Sequence, residues 1–517
     1  MEVATINRKR ILTGALILTL AGVTTRILGF IYRIYMSNLM GAEGMGLYQL
    51  IMPVYALAWS ISCAGFNTTV SKLTAQEHAK GEHGNMRRML RQSVMITTLL
   101  GIALSISLYF GAELLAVHFF NDMRTLLPLR ILAFAFPFMA AGTCMRGYFI
   151  GLQEAKIPAL NQVLEQIVRM VIVYMLAARF VPLGLEYAAA VAVVAIVGEE
   201  LFSCGFVFVA YKWRAKLPQK KPTLTNAQIL TLIMCMALPL TGNRVAGSLL
   251  SALENVLIPG RLQLFGLTAT EAISEFGRIN GMAIPLIFFP TAVLTALSVT
   301  LVPAVSEAVT AKDLRGVSGI ASKSLLFASI TGMGAASLFL FFSHELGMAI
   351  YNQPIGLMLQ LLGIMCPFIY MQIVISGVLN GLGCQMFIFR NSLLSSAISI
   401  VCIYVFVPQF GLTGYIFGWL ASLLVVIALG LRKVQKFMPI EMEYTKWMIK
   451  PLIAALAAGL VARLIATRWL LAAAGLRLGL VIGICILMLI YLCGVLLTGC
   501  ISKEEVQRLY KRPSRHR

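Results

Sequence analysis

Ten basic side chains lie inside, or at the rims of, long apolar runs: Arg26, Arg33, Lys72, Arg130, Arg146, Arg169, Arg179, Arg244, Arg278 and Arg463. A charge near a bilayer centre costs at least about 2.5–3.5 kcal/mol on the most lenient scale, so each needs a physical reason. Lys72, Arg130, Arg179 and Arg463 stand near run ends, where a long stem lets the head reach the interface. Arg169 follows Glu165 by four residues, the spacing of a helical ion pair, and Arg146 is near a run end. Rim charge accounts for all six. Arg26 and Arg244 resist that account. Each lies about fifteen residues into its run, roughly 22 Å along a helix, with no carboxylate three or four positions away. Arg33 follows Arg26 by seven residues, nearly the same helical face, and Arg278 stands near the outer start of another run. Guanidinium groups with few acids to neutralise them suit an anion, because the planar fork binds phosphate oxygens in pairs and keeps its charge at any relevant pH. The competing reading is that Glu254, Glu275, Glu199 or Glu200 pairs with them across helices. Glu199, Glu200 and Glu254 are the remaining intramembrane acids, and either brace an arginine or serve ion coupling.

The elements that must position these groups follow from composition. Of 517 residues, 59% are apolar and only 12% charged, with a mean hydropathy of +0.86. A soluble chain of this length needs roughly twice that share of charge, and disorder requires low hydrophobicity. The expected class is therefore an all-α polytopic membrane protein. Apolar runs predict fourteen spans, at 11–36, 44–75, 91–112, 126–150, 159–179, 186–210, 227–258, 273–303, 319–342, 354–380, 391–406, 413–431, 451–466 and 478–499. Pro53, Pro137, Pro239, Pro285, Pro290 and Pro367 fall inside them as kink candidates.

Net charge is +21, but its placement is topological. With both termini on the cytoplasmic side of a cell membrane, the loops facing outward hold only Arg124, Arg261, Arg468 and Arg477, and the basic clusters face inward. Nucleic acid is not an expected partner. The ten cysteines sit in or beside apolar runs without C-x-x-C spacing, and the five histidines are never paired at ligand spacing, so neither a disulfide framework nor a metal site is expected. No G-x-x-x-x-G-K-[ST] loop and no hydrolase triad occurs. No enzyme activity and no cofactor are expected.

The chain repeats itself. Residues 129–161 align with 359–391 without gaps, matching Leu129, Pro137-Phe138, Gly147, Gly151-Leu152 and Asn161 to Leu359, Pro367-Phe368, Gly377, Gly381-Leu382 and Asn391. Phe180-Val181-Pro182 and Gly184-Leu185 reappear as Phe406-Val407-Pro408 and Gly411-Leu412, and Arg26-Ile27-Leu28-Gly29 as Arg244-Val245-Ala246-Gly247. Six spans per half make the repeat parallel, with its pseudo-two-fold along the membrane normal. The domain organisation expected is an N-lobe at 1–211, a basic linker at 212–226 and a C-lobe at 227–431. A cytoplasmic loop at 432–450, two extra helices at 451–499 and a basic tail at 500–517 complete it. Such a duplication would set Arg26 and Arg244 on opposite walls of one central cavity.

The motifs T-R-I-L-G-F (Thr25 to Phe30), G-A-E-G-M-G-L-Y-Q-L (Gly41 to Leu50) and S-K-L-T-A-Q-E (Ser71 to Glu77) resemble the stage V sporulation protein B group. That group lies in the polysaccharide-transporter branch of the multidrug/oligosaccharidyl-lipid/polysaccharide exporter superfamily, related to the lipid II flippase. The resemblance implies a two-lobe flippase that carries an undecaprenyl-diphosphate-linked saccharide, such as a peptidoglycan precursor, outward by alternating access. Arginines of the first and eighth helices line the cavity in lipid II flippases; they correspond to Arg26 and Arg278, with Arg33 displaced by one position. Glu43 is the nearest match to an acid at the outer start of helix 2, and the last two helices are implied to hold the lipid tail. Drive comes from a monovalent cation, a proton or the membrane potential. Expected partners are the lipid-linked saccharide, membrane lipids and cell-wall synthesis proteins. Four rivals stand beside this reading. A cation-coupled multidrug exporter of the same superfamily needs cavity acids that span 1 lacks. A major-facilitator carrier shares a parallel 6+6 repeat but needs a G-x-x-x-D-x-x-G-R-R-type loop after its second helix, and Glu77 to Arg91 reads differently. A flippase for another polysaccharide repeat unit is the remaining transporter alternative, whereas a glycosyltransferase needs outer-loop acids that are missing.

Overall fold

In the computed structural model, residues 8–214, 221–437 and 445–500 are described, and among them every regular element is helical. The order is α1 (Arg8–Trp59), α2 (Gly65–Ala79), α3 (His83–Leu114), α4 (Leu126–Ala133), α5 (Phe136–Gly151), α6 (Lys156–Phe180), α7 (Leu185–Arg214) and α8 (Asn226–Leu264). Then come α9 (Ala269–Phe276), α10 (Ile284–Phe288), α11 (Thr291–Thr310), α12 (Leu314–Phe341), α13 (Ser343–Leu346) and α14 (Gly356–Gly381). The chain continues with α15 (Gln385–Phe410), α16 (Leu412–Phe437), α17 (Lys450–Ile465) and α18 (Leu471–Leu497). Parts of the expected linker, cytoplasmic loop and tail (215–220, 438–444 and 501–517) lie outside the described residues.

Among the described residues, twelve helices are long and apolar enough to cross a membrane, or thirteen if the bent pair Met123–Ala133 and Phe136–Gly151 is one span. The expected fourteen is not reached by this count, and the reason is Gly41. Leu16–Ala79 counts as one helix of 64 residues, which at 1.5 Å per residue is about three bilayer cores long. Gly41 interrupts it with φ 68° and ψ −170°, a conformation open to glycine but strained for L-residues. Hydropathy separates the two runs; the helix simply bridges them. The protein is a multi-pass membrane protein.

The chain forms two compact units. The first contains residues 1–263 and 267–277, the second residues 264–266 and 278–517. α8 therefore belongs to the first unit, although hydropathy and the repeat assign residues 227–258 to the second half. Its N-terminal half explains this: Ile229, Ile233 and Ala237 are fully buried against Phe66, Val70 and Leu73 of α2 and Met86 of α3. A Cβ on Gly65 would collide with Thr241 and Ala237, so the α2 and α8 backbones touch there.

The start of α8 is also fastened. Asn85, 1% exposed, donates to Glu77 Oε2 at 2.8 Å and to Thr223 Oγ1 at 2.9 Å. Its carbonyl oxygen accepts the amides of Thr223 and Leu224 at 3.0 and 3.1 Å. Glu77, the last residue of the S-K-L-T-A-Q-E motif, thereby holds the side chain that anchors the residues leading into α8. Asn85→Ala should remove four hydrogen bonds and leave Glu77 Oε2 buried without a donor. Hydrogen exchange at the Thr223 and Leu224 amides is expected to accelerate about tenfold or more; unchanged exchange would show that the anchor is idle.

α9 begins with a capping box in which Thr268 and Glu271 exchange hydrogen bonds. The Thr268 amide and hydroxyl hold the exposed Glu271 carboxyl below its ordinary range. α9 then crosses α1 at close backbone range: a Cβ on Gly277 would meet Gly46 Cα at 3.0 Å, and one on Gly46 would stand 2.9 Å from the Ile273 carbonyl carbon.

In the second unit, α17 and α18 are bound to α12. Ser337 Oγ donates to the Ala455 carbonyl at 2.6 Å, Tyr491 Oη donates to the Ile330 carbonyl at 2.7 Å, and Ser329 Oγ donates to the Trp447 carbonyl. Interhelical bonds to carbonyls are favourable where no water competes. Gly411 (φ 60°) provides the turn between α15 and α16.

Candidate functional site

α1 presents three faces. Ala21, Tyr32 and Met36 are buried. Leu16, Leu20, Val23, Ile27 and Ile31 form an exposed apolar stripe at helical spacing, the stripe that lipid covers. Arg26 and Arg33 share a third face, turned roughly a quarter-turn from that stripe at about 100° per residue. Arg26 is exposed and Arg33 half-buried, and Gly22 beside Arg26 has open space around it.

Arg244 lies seven residues after Ala237, on the face whose lower part is buried against α2. Above it Ser248 Oγ is 2.5 Å from Ser60 Oγ, so this face of α8 is turned toward the α1–α2 segment both below and above the arginine. Yet Arg244 is exposed and makes no ion pair among the described residues. No residue from Leu238 to Leu257 is buried, and Gly242 and Gly247 have nothing nearby. The middle of α8 is open. A guanidinium on an open stretch of a face that is closed at both ends is available to an anion.

Arg278 belongs to the second unit, at the second position of a π-helical turn, Gly277–Ala283. It is half-buried, with Nε 3.4 Å from Gln353 Oε1. Glu254 is half-buried on α8. Glu43 is engaged: Arg124 Nη1 lies 2.6 Å from its Oε1 and also grips Asp122 at 2.7 Å. That triad fastens the turn after α3 to the start of the second apolar run.

Two arginines read as rim charges are otherwise placed. Arg146 and Arg169 are interior to the first unit, and their partners are crossed relative to the expected i,i+4 pair. Glu165 pairs with Arg146, on the neighbouring α5, while Arg169 donates through Nε and Nη2 to both oxygens of Glu199 on α7. Arg146 also donates to Ser203 Oγ at 3.1 Å and Thr143 Oγ1 at 2.9 Å. Asn161 Nδ2 joins Glu165 at 2.8 Å and Ser203 at 2.9 Å. The Arg169 guanidinium lies over the Tyr32 ring, 5.8 Å from its centre. Glu200, beside Glu199, accepts from Tyr55 Oη at 2.5 Å. Sequence spacing missed this network because it joins α1, α5, α6 and α7, and a single-helix rule cannot see cross-helix partners. Arg130 is a rim charge, 3.9 Å from Glu113. Arg463 is paired with Glu345 at 2.6 Å and lies against Phe342.

The repeat carried a signal for the network. Gly147 is preceded by Arg146, but Gly377 by Ser376. Asn161 is followed at four and eight residues by Glu165 and Arg169, but Asn391 by Ser395 and Ser399. Aligned on Gly184 and Gly411, Glu199 and Glu200 fall opposite Val426 and Ile427. In the second unit Asn391 Nδ2 donates instead to the Val426 carbonyl, and Ser395 is 3.4 Å from Ser422 Oγ.

Among known proteins, the profile of a family described as polysaccharide biosynthesis protein matches residues 11–309. Stage V sporulation protein B of Bacillus subtilis (strain 168) is 30% identical over 449 residues, 85% of this chain and 86% of that protein. Among solved structures, the lipid II flippase MurJ in an inward closed conformation superposes with a TM-score of 0.68 at 14% identity, covering 96% of this chain and all of that one. An inward-facing multidrug resistance MATE transporter of the MOP superfamily gives 0.66 at 14% identity, covering 80% and 95%. Those two likenesses concern the fold.

Proposed function

The chain belongs to the polysaccharide biosynthesis protein family, and on that premise we propose that it is a flippase for a polyprenyl-diphosphate-linked saccharide. The substrate would be a lipid II-like peptidoglycan precursor, moved from the inner to the outer leaflet of the cell membrane. The observation that carries this reading is the third face of α1, where Arg26 and Arg33 stand apart from both the buried face and the apolar stripe. Arg244 on the open middle of α8 adds a third cation in the same unit, and Arg278 of the second unit is proposed, on the family resemblance, as a further diphosphate-binding residue. The saccharide needs a wet path and the prenyl tail an apolar one, and α1 offers both faces on one helix. Both termini face the cytoplasm in this reading, and cell-wall synthesis proteins are the partners that would consume the product. The membrane potential acts at about 2.3 kcal/mol per charge per 100 mV, in the direction that expels an anion from a negative interior.

Complementation of cells depleted of their lipid II flippase tests it. The wild-type chain should restore growth, while Arg26→Ala and Arg278→Ala, inserted at normal levels, should lower substrate flipping about 10–100-fold, the scale of charge-assisted hydrogen bonds. Equal rescue by all three chains would remove the arginine mechanism. Failure of the wild type would move the substrate to another saccharide repeat unit. The multidrug exporter reading has the support of the MATE-like fold, but α1 brings arginines and no acid to its open face.

A further inference from the structure

The interior network of the first unit holds three carboxylates, Glu165, Glu199 and Glu200, against two guanidiniums, Arg146 and Arg169. Glu165 and Glu199 are each engaged by an arginine. Glu200 has none. It is 6% exposed, its Oε1 accepts one hydrogen bond from Tyr55 Oη at 2.5 Å, and its Oε2 is buried and accepts no hydrogen bond among the described residues. An ionised carboxylate held this way, in a bundle that lipid surrounds, is one counter-charge short, and such a group gains a proton rather than bear the full desolvation cost. The groups facing it are Tyr55 on α1, Cys63 on the π-helical turn Ser60–Ala64, Arg146 on α5, Glu165 and Arg169 on α6, and Glu199 and Cys204 on α7.

The network is not a requirement of the architecture. The second unit builds the corresponding helices with Ser376, Ser395, Ser399, Val426 and Ile427 in place of Arg146, Glu165, Arg169, Glu199 and Glu200. The second bundle is built without these charges, which leaves the cluster open to a role beyond packing. We propose that Glu200 is a reversible proton-binding site. Glu199, locked by Arg169, is a positioning residue that holds the neighbouring charges in place and does not exchange a proton. This deepens and rests on the exporter reading, since it names the coupling ion and singles out one of its three candidate acids.

Infrared difference spectroscopy of the full chain in liposomes without substrate tests the site separately from flipping. The wild type should show a protonated-carboxyl stretch that fades as pH rises. The band should be absent in Glu200→Gln and retained in Glu165→Gln. Tyr55→Phe keeps the ring but removes the donor that favours the ionised form, so the midpoint should move up by about one pH unit, the scale of one hydrogen bond to a charge. A wild type without the band, a band that survives Glu200→Gln, or a midpoint unmoved by Tyr55→Phe overturns the assignment. Loss of the band on adding sodium at constant pH also overturns it, in favour of a metal-cation site. A titrating band in a chain that fails complementation would retire the lipid II-like substrate alone; rescue without a band would retire only the proton site.

Discussion

Arg146→Met is expected to cost about 3–5 kcal/mol of unfolding free energy, because it strands the Glu165 carboxylate inside the first unit. Arg146 also supplies the donors to Ser203 and Thr143, so its loss unpicks contacts on α5 and α7 together. The double change Arg146→Met with Glu165→Leu should recover most of that cost. Removing both partners of a buried pair leaves no uncompensated charge, and apolar replacements of similar volume are often neutral. Asn161 would still have Ser203. The double-mutant cycle, read by reversible unfolding in mixed micelles, should give a coupling of at least ~2 kcal/mol, in the range for residues of one network. A single mutant that loses less than ~1 kcal/mol would mean that the pair is solvated after all and that Glu200 has more screening than the geometry gives it. The second unit makes the recovery physically reasonable, since Ser376 and Ser395 occupy the same places there.

The network also marks where the sequence stopped being legible. Hydropathy found every long helix, because the bilayer demands about 20 apolar residues per crossing and little else produces such runs. It also separated the runs 11–36 and 44–75, between which Gly41 at positive φ turns the chain and leaves helix on both sides. It could not assign α8 to the first unit: Ile229, Ile233 and Ala237 look like any apolar stripe until Phe66 and Val70 are set against them. The depth argument separated Arg26 and Arg244 from the rim charges, and both are exposed on their helices. It failed for Arg146, whose depth was judged from its run end, and the spacing rule failed for Arg169, which it gave to Glu165; the partners of both come from neighbouring helices. Charge along one helix follows a simple spacing rule; charge across four helices depends on crossing angles that composition does not encode.

Gly277→Ala and Gly46→Ala should each lower transport roughly 5–150-fold while leaving insertion intact. At the α1–α9 crossing the added methyl has no room, since a Cβ on Gly277 would stand 2.5 Å from the Gly46 amide nitrogen and one on Gly46 would stand 2.9 Å from the Ile273 carbonyl carbon. Both obstacles are backbone, so neither can turn aside as a flexible side chain would. Overpacking of this kind costs about 1–3 kcal/mol. If the crossing opens during the transport cycle, that cost falls only on the arrangement in which α1 and α9 touch. A two-state carrier biased by that amount shifts roughly 5–150-fold away from the touching state. Transport by alternating access needs both states, so turnover should fall by a comparable factor. Ala42, 7% exposed at this crossing, provides the readout. In a cysteine-substituted Ala42→Cys chain, a membrane-impermeant maleimide added from the face opposite the linker should react faster once Gly277→Ala is introduced. Equal labelling with full activity would show that the crossing is fixed packing and that the moving surfaces of this transporter lie elsewhere.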